Sequence, residues 1–220
     1  MAYRETPKMR ARKARKREQI LVATGELVAA GGFQAAHISA VARQAGVATG
    51  TVYRHFPSKA QLFTEYFRRA TAIEVTAVAA ALEQPGSAAA RLRHALQLFA
   101  RRALKNPTAA WALIAEPLEP AVDQERLYFR AEYAGLFERV IRAGVDAREL
   151  PPQEPGLSST ALVGAIAEAL VGPLAPARQQ QQPLTPPMKT ELQQHIIRFC
   201  LQAITGEEEA HHEHTTLSKG

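Results

Sequence analysis

The stretch Ile38–Phe56, ISAVARQAGVATGTVYRHF, decides the fold. Ile38, Val41, Ala42 and Ala45 recur at three- and four-residue spacing, the period of one buried face of a short helix. Gly46 follows where the chain must turn, since a residue without Cβ takes a positive φ at no steric cost. A second short helix is expected over about Ala48–Phe56, stopped by Pro57. Val47, Val52 and Phe56 fall on its inner side and pin it to the first, while Gly50, Tyr53 and Arg54 lie opposite Val52. No acidic residue occurs between Ala45 and Ala60. A short, exposed, basic helix is what the DNA major groove admits, the groove being about 12 Å wide. Gly50 costs about 1 kcal/mol against Ala within a helix, and its bare backbone can approach a base edge or phosphate closely.

The charge distribution agrees. The 220-residue chain carries a net +6, but residues 1–70 hold 13 Lys+Arg against 4 Asp+Glu, a net +9, and the other 150 residues are net −3. Arg4, Lys8, Arg10, Arg12, Lys13, Arg15, Lys16 and Arg17 crowd the N-terminal end. Blocks of like charge repel, so residues 1–14 read as a flexible basic arm of the kind that binds nucleic acid.

Outward from the two short helices, helical periodicity runs almost everywhere, with no β-alternation and no internal repeat. Before them, Ile20, Thr24, Leu27, Val28 and Gly31 keep one apolar or small face, with Gly31-Gly32 as the stop. After them, Ser58 reads as the N-cap of a long helix through about Leu82. Further helices are expected near 88–104, 108–115, 122–147, 157–172 and 187–205. The segment Ala177–Leu184, ARQQQQPL, reads as a linker. The fold is thus expected to be all-α, with about nine helices: an arm (1–14), a DNA-binding head (15–75), a larger helical domain (76–205) and a disordered tail (206–220).

Several function classes drop out. At 46% hydrophobic and 22% charged the composition supports a core, and a lone cysteine, Cys200, rules out an internal disulfide framework. The most membrane-like stretch, Leu157–Ala177, carries Glu168 near its middle, where an ionised residue costs roughly 2.5–3.5 kcal/mol on insertion. It reads as a buried helix, no membrane partner is implied, and a cytoplasmic location follows. His211, His212 and His214 with Glu207–Glu209 and Glu213 do not fix a coordination geometry, so no metal and no cofactor is expected. An enzyme finds no support: no nucleophile triad or Gly-rich phosphate loop is present, and His94 with Glu116 is too thin a pair.

At Ala45-Gly46-Val47, Gly50-Thr51-Val52-Tyr53, His55-Phe56 and Ser58-Lys59 with Leu62 and Phe63, the sequence resembles the TetR family of bacterial transcriptional regulators. Ala30-Gly31-Gly32-Phe33 is similar to the end of that family's first helix. The resemblance covers about residues 15–75. It implies that Thr49 and Gly50 sit nearest the bases, with Arg54 a guanine reader through its fork. It further implies that Thr51, Tyr53, His55 and Lys59 contact phosphates, with Arg43 adding a backbone contact. Two positions depart from the family pattern: His37 and Ala48 stand where it usually has capping Ser or Thr.

For the rest of the chain the resemblance implies a homodimer on a palindromic operator, released by a small-molecule effector bound among the middle helices. A nonspecific architectural DNA protein without effector is the alternative. Candidate pocket residues are the aromatic Phe99, Trp111, Tyr128, Phe129, Tyr133 and Phe137, with His94 and Glu116 as polar anchors. The dimer face is expected on the last two long helices, at Ala161, Gly164, Ala165, Glu168 and Gly172 and at Ile196 and Cys200. Small side chains packed within one subunit would give the same pattern.

Overall fold

A computed structural model describes residues 6–206. Among them are ten helices and no strand: α1 (Pro7–Ala35), α2 (Ile38–Gln44), α3 (Thr49–His55), α4 (Lys59–Leu82), α5 (Ala88–Lys105), α6 (Pro107–Ile114), α7 (Pro120–Asp146), α8 (Pro155–Leu174), α9 (Pro176–Gln181) and α10 (Pro186–Thr205). The capping chemistry is local. Thr6, Ser58, Ser87 and Asn106 each accept a hydrogen bond from a backbone N–H three residues on. Proline opens α1, α6, α7, α8, α9 and α10, where its missing N–H costs nothing.

Two expectations need correction. The basic segment is helical from Pro7 onward, not a flexible arm. Arg, Lys, Ala and Met are all good helix formers, and like-charge pairs at helical spacing cost only about 0.2–0.5 kcal/mol each. The helix is also tethered further along: Arg17 forks onto Glu65 and lies 4.6 Å over the Phe56 ring, and Glu18 pairs with Arg69. The expected linker at 177–184 holds a further short helix, α9, which starts at Pro176 and makes ten helices rather than nine. The tail from 207, with its histidines, lies outside the described residues.

Two hydrophobic clusters organise the chain. The head cluster gathers Ile20, Val28, Phe33, Val41, Val52, Phe56, Leu62, Phe63 and Phe67, but it also takes Ala112 from α6 and Val122 and Phe129 from α7. The larger cluster joins α4, α5, α7, α8 and α10 around Leu92, Leu96, Phe137, Ile141, Leu170 and Cys200. By length and composition α8 could cross a membrane. Here its Leu162, Ile166, Leu170 and Leu174 are buried in that second cluster, while Glu168 faces outward.

Candidate nucleic-acid interface and ligand cavity

The head forms around Gly46, whose φ of +62° makes the turn between α2 and α3. The inner side of α3 is fixed by Val52 and Phe56, both buried. This leaves Thr49, Gly50, Tyr53 and Arg54 exposed on one surface, together with Arg43 of α2. A Cβ on Gly50 would meet nothing within 4 Å, so no packing within the protein accounts for this glycine. Thr51 is half-buried, and its hydroxyl accepts from Arg54 Nη2 at 2.8 Å. His37 and Ala48 supply no side-chain cap, as their departure from the family pattern implies.

The helical basic end runs beside this surface. Met9, Arg12, Lys13 and Lys16 of α1 face Gly46, Val47, Ala48, Thr51, Arg54 and His55 across one open cleft. Burial lowers the pKa of His55, and the nearby Lys13, Arg17, Arg54 and Lys16 lower it further, so its imidazole is neutral at neutral pH. Its Nδ1 is buried without a hydrogen-bond partner. Lys59, at the start of α4, lies 4.9 Å over the Phe63 ring and 3.8 Å from Glu119.

A second site is a partly open cavity of about 210 Å³ between α4, α5, α6, α7 and α8. Its walls include Phe67, Phe99, Phe129, Tyr133 and Phe137, so four of the expected aromatic residues meet there. Burial raises the Tyr133 pKa, and the Glu74 carboxylate adds to this, so the phenol stays protonated. The other expected members lie elsewhere. His94 faces α4 beside Ala77, Ala80 and Ala81, Trp111 packs against the larger core, and Tyr128 is exposed. Polar members that aromatic periodicity did not point to are Thr71, Glu74, Arg102, Asn106, Arg126 and Arg130. The signal was present in α7, where Arg126, Arg130, Tyr133 and Phe137 follow helical spacing.

Glu116 is not a pocket anchor either. It is buried and accepts from the backbone N–H of Phe33 at 2.9 Å and of Gln34 at 3.1 Å. These are the amides freed where the helix breaks: Gly32 takes φ +73°, and a Cβ there would stand 2.7 Å from Glu116 Oε2. The Glu116 carbonyl in turn accepts from Arg126 Nη2 at 2.8 Å, while Arg126 Nε donates to the Leu113 carbonyl at 3.1 Å. Arg126 also pairs with Asp123 and stacks 5.8 Å from the Phe67 ring centroid. Burial lowers the Arg126 pKa against the pull of Asp123, and Arg130 lowers it further. One arginine thus touches both the cavity wall and the peptide whose side chain holds the head.

On α8, Ala161, Gly164, Glu168 and Gly172 are exposed and Ala165 half-buried, and a Cβ on Gly164 or Gly172 would meet nothing within 4 Å. Tight packing within the subunit therefore does not explain these two glycines, whereas Ala165 packs against the larger core. The α10 residues expected beside them are placed differently. Ile196 and Cys200 point into the subunit core, with burial pushing the Cys200 thiol up to about 11. Outward on α10 lie His195, Phe199 and Ala203, with Phe199 62% exposed. Gly172 and Pro173 share a groove with Met188, Leu192 and His195, so the outer faces of α8 and α10 adjoin.

Two family models match the chain: "Bacterial regulatory proteins, tetR family" over residues 20–66, and "Tetracyclin repressor-like, C-terminal domain" over residues 85–170. The HTH-type transcriptional repressor KstR of Rhodococcus jostii is 48% identical over 54 residues, which are 24% of this chain and 26% of that protein. The nucleoid occlusion factor SlmA of Photobacterium profundum is 32% identical over 133 residues, 59% of this chain and 64% of that one. The matches thus span about a quarter and under two thirds of those relatives' own lengths. In fold, the chain is similar to the transcriptional regulator FadR from Bacillus subtilis, solved in complex with stearoyl-CoA: TM-score 0.70, 17% identity, covering 85% of this chain and 98% of that one. With both halves of the family's architecture matched in sequence and its helical fold reproduced, this chain belongs to the TetR family of bacterial transcriptional regulators.

Proposed function

We propose that the protein is a homodimeric repressor that binds a palindromic operator through α3 and is released when a small molecule enters the α4–α7 cavity. The observation that carries this reading is the Arg126–Glu116 connection, which joins the cavity wall to the backbone of the head. A ligand acts only if it prefers one of two states. One that displaces Arg126 or Phe67 favours an arrangement in which Glu116 no longer holds Phe33 and Gln34 in place. The boundaries that go with it are a reader at 15–75 and a sensing and pairing body at 76–205. The small-residue face of α8 with Phe199 of α10 is the surface for a second copy. The cavity also favours ligand response over the architectural reading and over the occlusion role named for SlmA.

On the DNA side, Thr49, Gly50 and Arg54 read bases, while Arg43, Thr51, Tyr53, His55 and Lys59 hold phosphates. Contacts of the second kind fix register, and those of the first kind carry sequence. The test is equilibrium binding to DNA from around the protein's own gene across a salt series. Replacing Tyr53 and Lys59 together with Ala should weaken operator binding by roughly ten- to a hundredfold. It should also reduce the salt slope by about one, for the one lysine removed. Unchanged affinity, or equal affinity for random DNA, contradicts the reading.

His55 adds a pH dependence with a definite sign. Its pKa is depressed in the free protein, and a neighbouring phosphate would raise it, so binding takes up a proton. Operator affinity is expected to rise by about three- to tenfold as the pH falls from about 8 to about 6. His55→Gln should flatten that dependence in a fluorescence-anisotropy titration.

A further inference from the structure

We infer that the cavity takes an apolar acid: a molecule with a hydrocarbon or aromatic body, an anionic group paired with Arg130, and an oxygen atom hydrogen-bonded to the Thr71 hydroxyl. This rests on the effector reading and deepens it by naming the ligand's chemistry.

The charges around the cavity decide the first half. Arg102, Arg126 and Arg130 line it against one carboxylate, Glu74. Arg102 is matched, because Glu74 takes its Nε and Nη2. Arg126 is matched as well, with Asp123 on Nη1 and backbone carbonyls on Nε and Nη2. Arg130, one turn further along α7, is exposed and forms no ion pair with a described residue. Its charge instead bears on Arg126 across that turn. An anion at Arg130 relieves this like-charge contact and gains a forked partner that a carboxylate or phosphate fits.

The walls decide the body. Phe67, Phe99, Phe129 and Phe137, with Val163 and Ile166, offer rings and branched chains and almost no hydrogen bonds. A ligand that is polar throughout would lose its hydration there without replacement.

Thr71 supplies the remaining contact. It lines the cavity, is 7% exposed, and its Oγ1 is buried without a hydrogen-bond partner. Buried hydroxyls ordinarily find partners. Valine has almost the same shape and would pack at that position without the penalty, so the hydroxyl is accounted for by a partner atom that the ligand brings. It lies one turn from Phe67 and just short of Glu74 on α4, inside the aromatic lining.

The test is calorimetric titration of the full chain with dodecanoate and with naphthalene-2-acetate, each against its own methyl ester. The acids are expected to bind at least tenfold more tightly than the esters. Arg130→Gln, a change at an exposed position, should erase that preference and leave ester binding unaltered. Thr71→Val should weaken both members of each pair severalfold, while the melting temperature stays level or rises. Esters that match acids, a preference that survives Arg130→Gln, or no binding by any of the four probes overturns the ligand class. The effector reading is judged separately by operator affinity: a probe that fills the cavity and leaves that affinity unchanged contradicts effector release and not the ligand chemistry.

Discussion

Replacing Phe199 by glutamate is expected to turn the protein into a monomer and to weaken operator binding by at least about a hundredfold. Phe199 is a large apolar side chain, 62% exposed, at the centre of the outward stripe His195–Phe199–Ala203. It costs little to change within the subunit, so the melting temperature of the protomer should hold. At an interface, each new carboxylate would be buried close to its symmetry mate without a partner, and separation of the subunits avoids this. The loss in DNA affinity follows from linkage. Two recognition helices in one particle make the second half-site contact intramolecular, an advantage of about 10²–10⁴. Sedimentation velocity at micromolar concentration reads the first effect and anisotropy on the operator reads the second. A dimer that persists would move the interface to another exposed apolar surface, such as Leu127 and Tyr128 of α7. Ile196→Glu is the contrasting variant: that side chain is 5% exposed in the core, so it should unfold the protomer instead.

The second large effect belongs to Glu116. Its replacement by alanine leaves the Phe33 and Gln34 amides without their acceptor, the first of them in a buried hydrogen bond. Bonds to a charged group contribute about 1.5–3 kcal/mol, and a buried donor left unmade costs about 1–3 kcal/mol. A loss of about 3 kcal/mol would lower the melting temperature by roughly 6–12 °C in a chain of this size. The more telling readout is coupling. Below the melting transition, Glu116→Ala should still bind ligand in the cavity and DNA at the head, but the ligand should shift operator affinity by less than about half of its wild-type effect in free energy. Glu116→Gln should fall between, because a neutral amide keeps one acceptor oxygen for one of the two amides. Full coupling in Glu116→Ala would place the route between the sites elsewhere.

Glu116 also marks the limit of what sequence reveals. The turn at Gly46, the cap at Ser58, the break at Gly31-Gly32 and the inward set Val47, Val52 and Phe56 are properties of neighbours a few residues apart, and local periodicity exposes them. Glu116 meets partners 82 and 83 positions away. From sequence it is an isolated acid near aromatic residues, and reading it as a pocket anchor followed from that. Ile196 and Cys200 failed for a related reason. Periodicity shows that α10 has an apolar face, but which face looks inward depends on where α8 and α5 stand. The helical start of α1 is a question of magnitude: the repulsion among Lys8, Arg10, Arg12 and Lys13 does not overcome the helix preference of the same residues. Arg126 and Arg130 carry no local mark beyond their spacing, because a charged side chain on a helix reads as solvent-facing until the helices around it are placed.

The head's core borrows Ala112, Val122 and Phe129 from helices that sequence assigns to the other domain. Regulators built on this plan are tempting to treat as plug-in parts, with one protein's reader spliced to another's sensor at the end of α4. Cut there, this reader would show Phe33, Phe67 and the Gly32 bend to water, and the sensor would keep a surface with nothing to cover it. A chimera must therefore carry the reader together with the stretch from α6 into the first turns of α7, or redesign both sides of that seam. The same seam gives natural variation few independent moves, because any substitution that retunes the cavity near Phe129 also touches the wall of the DNA-reading half.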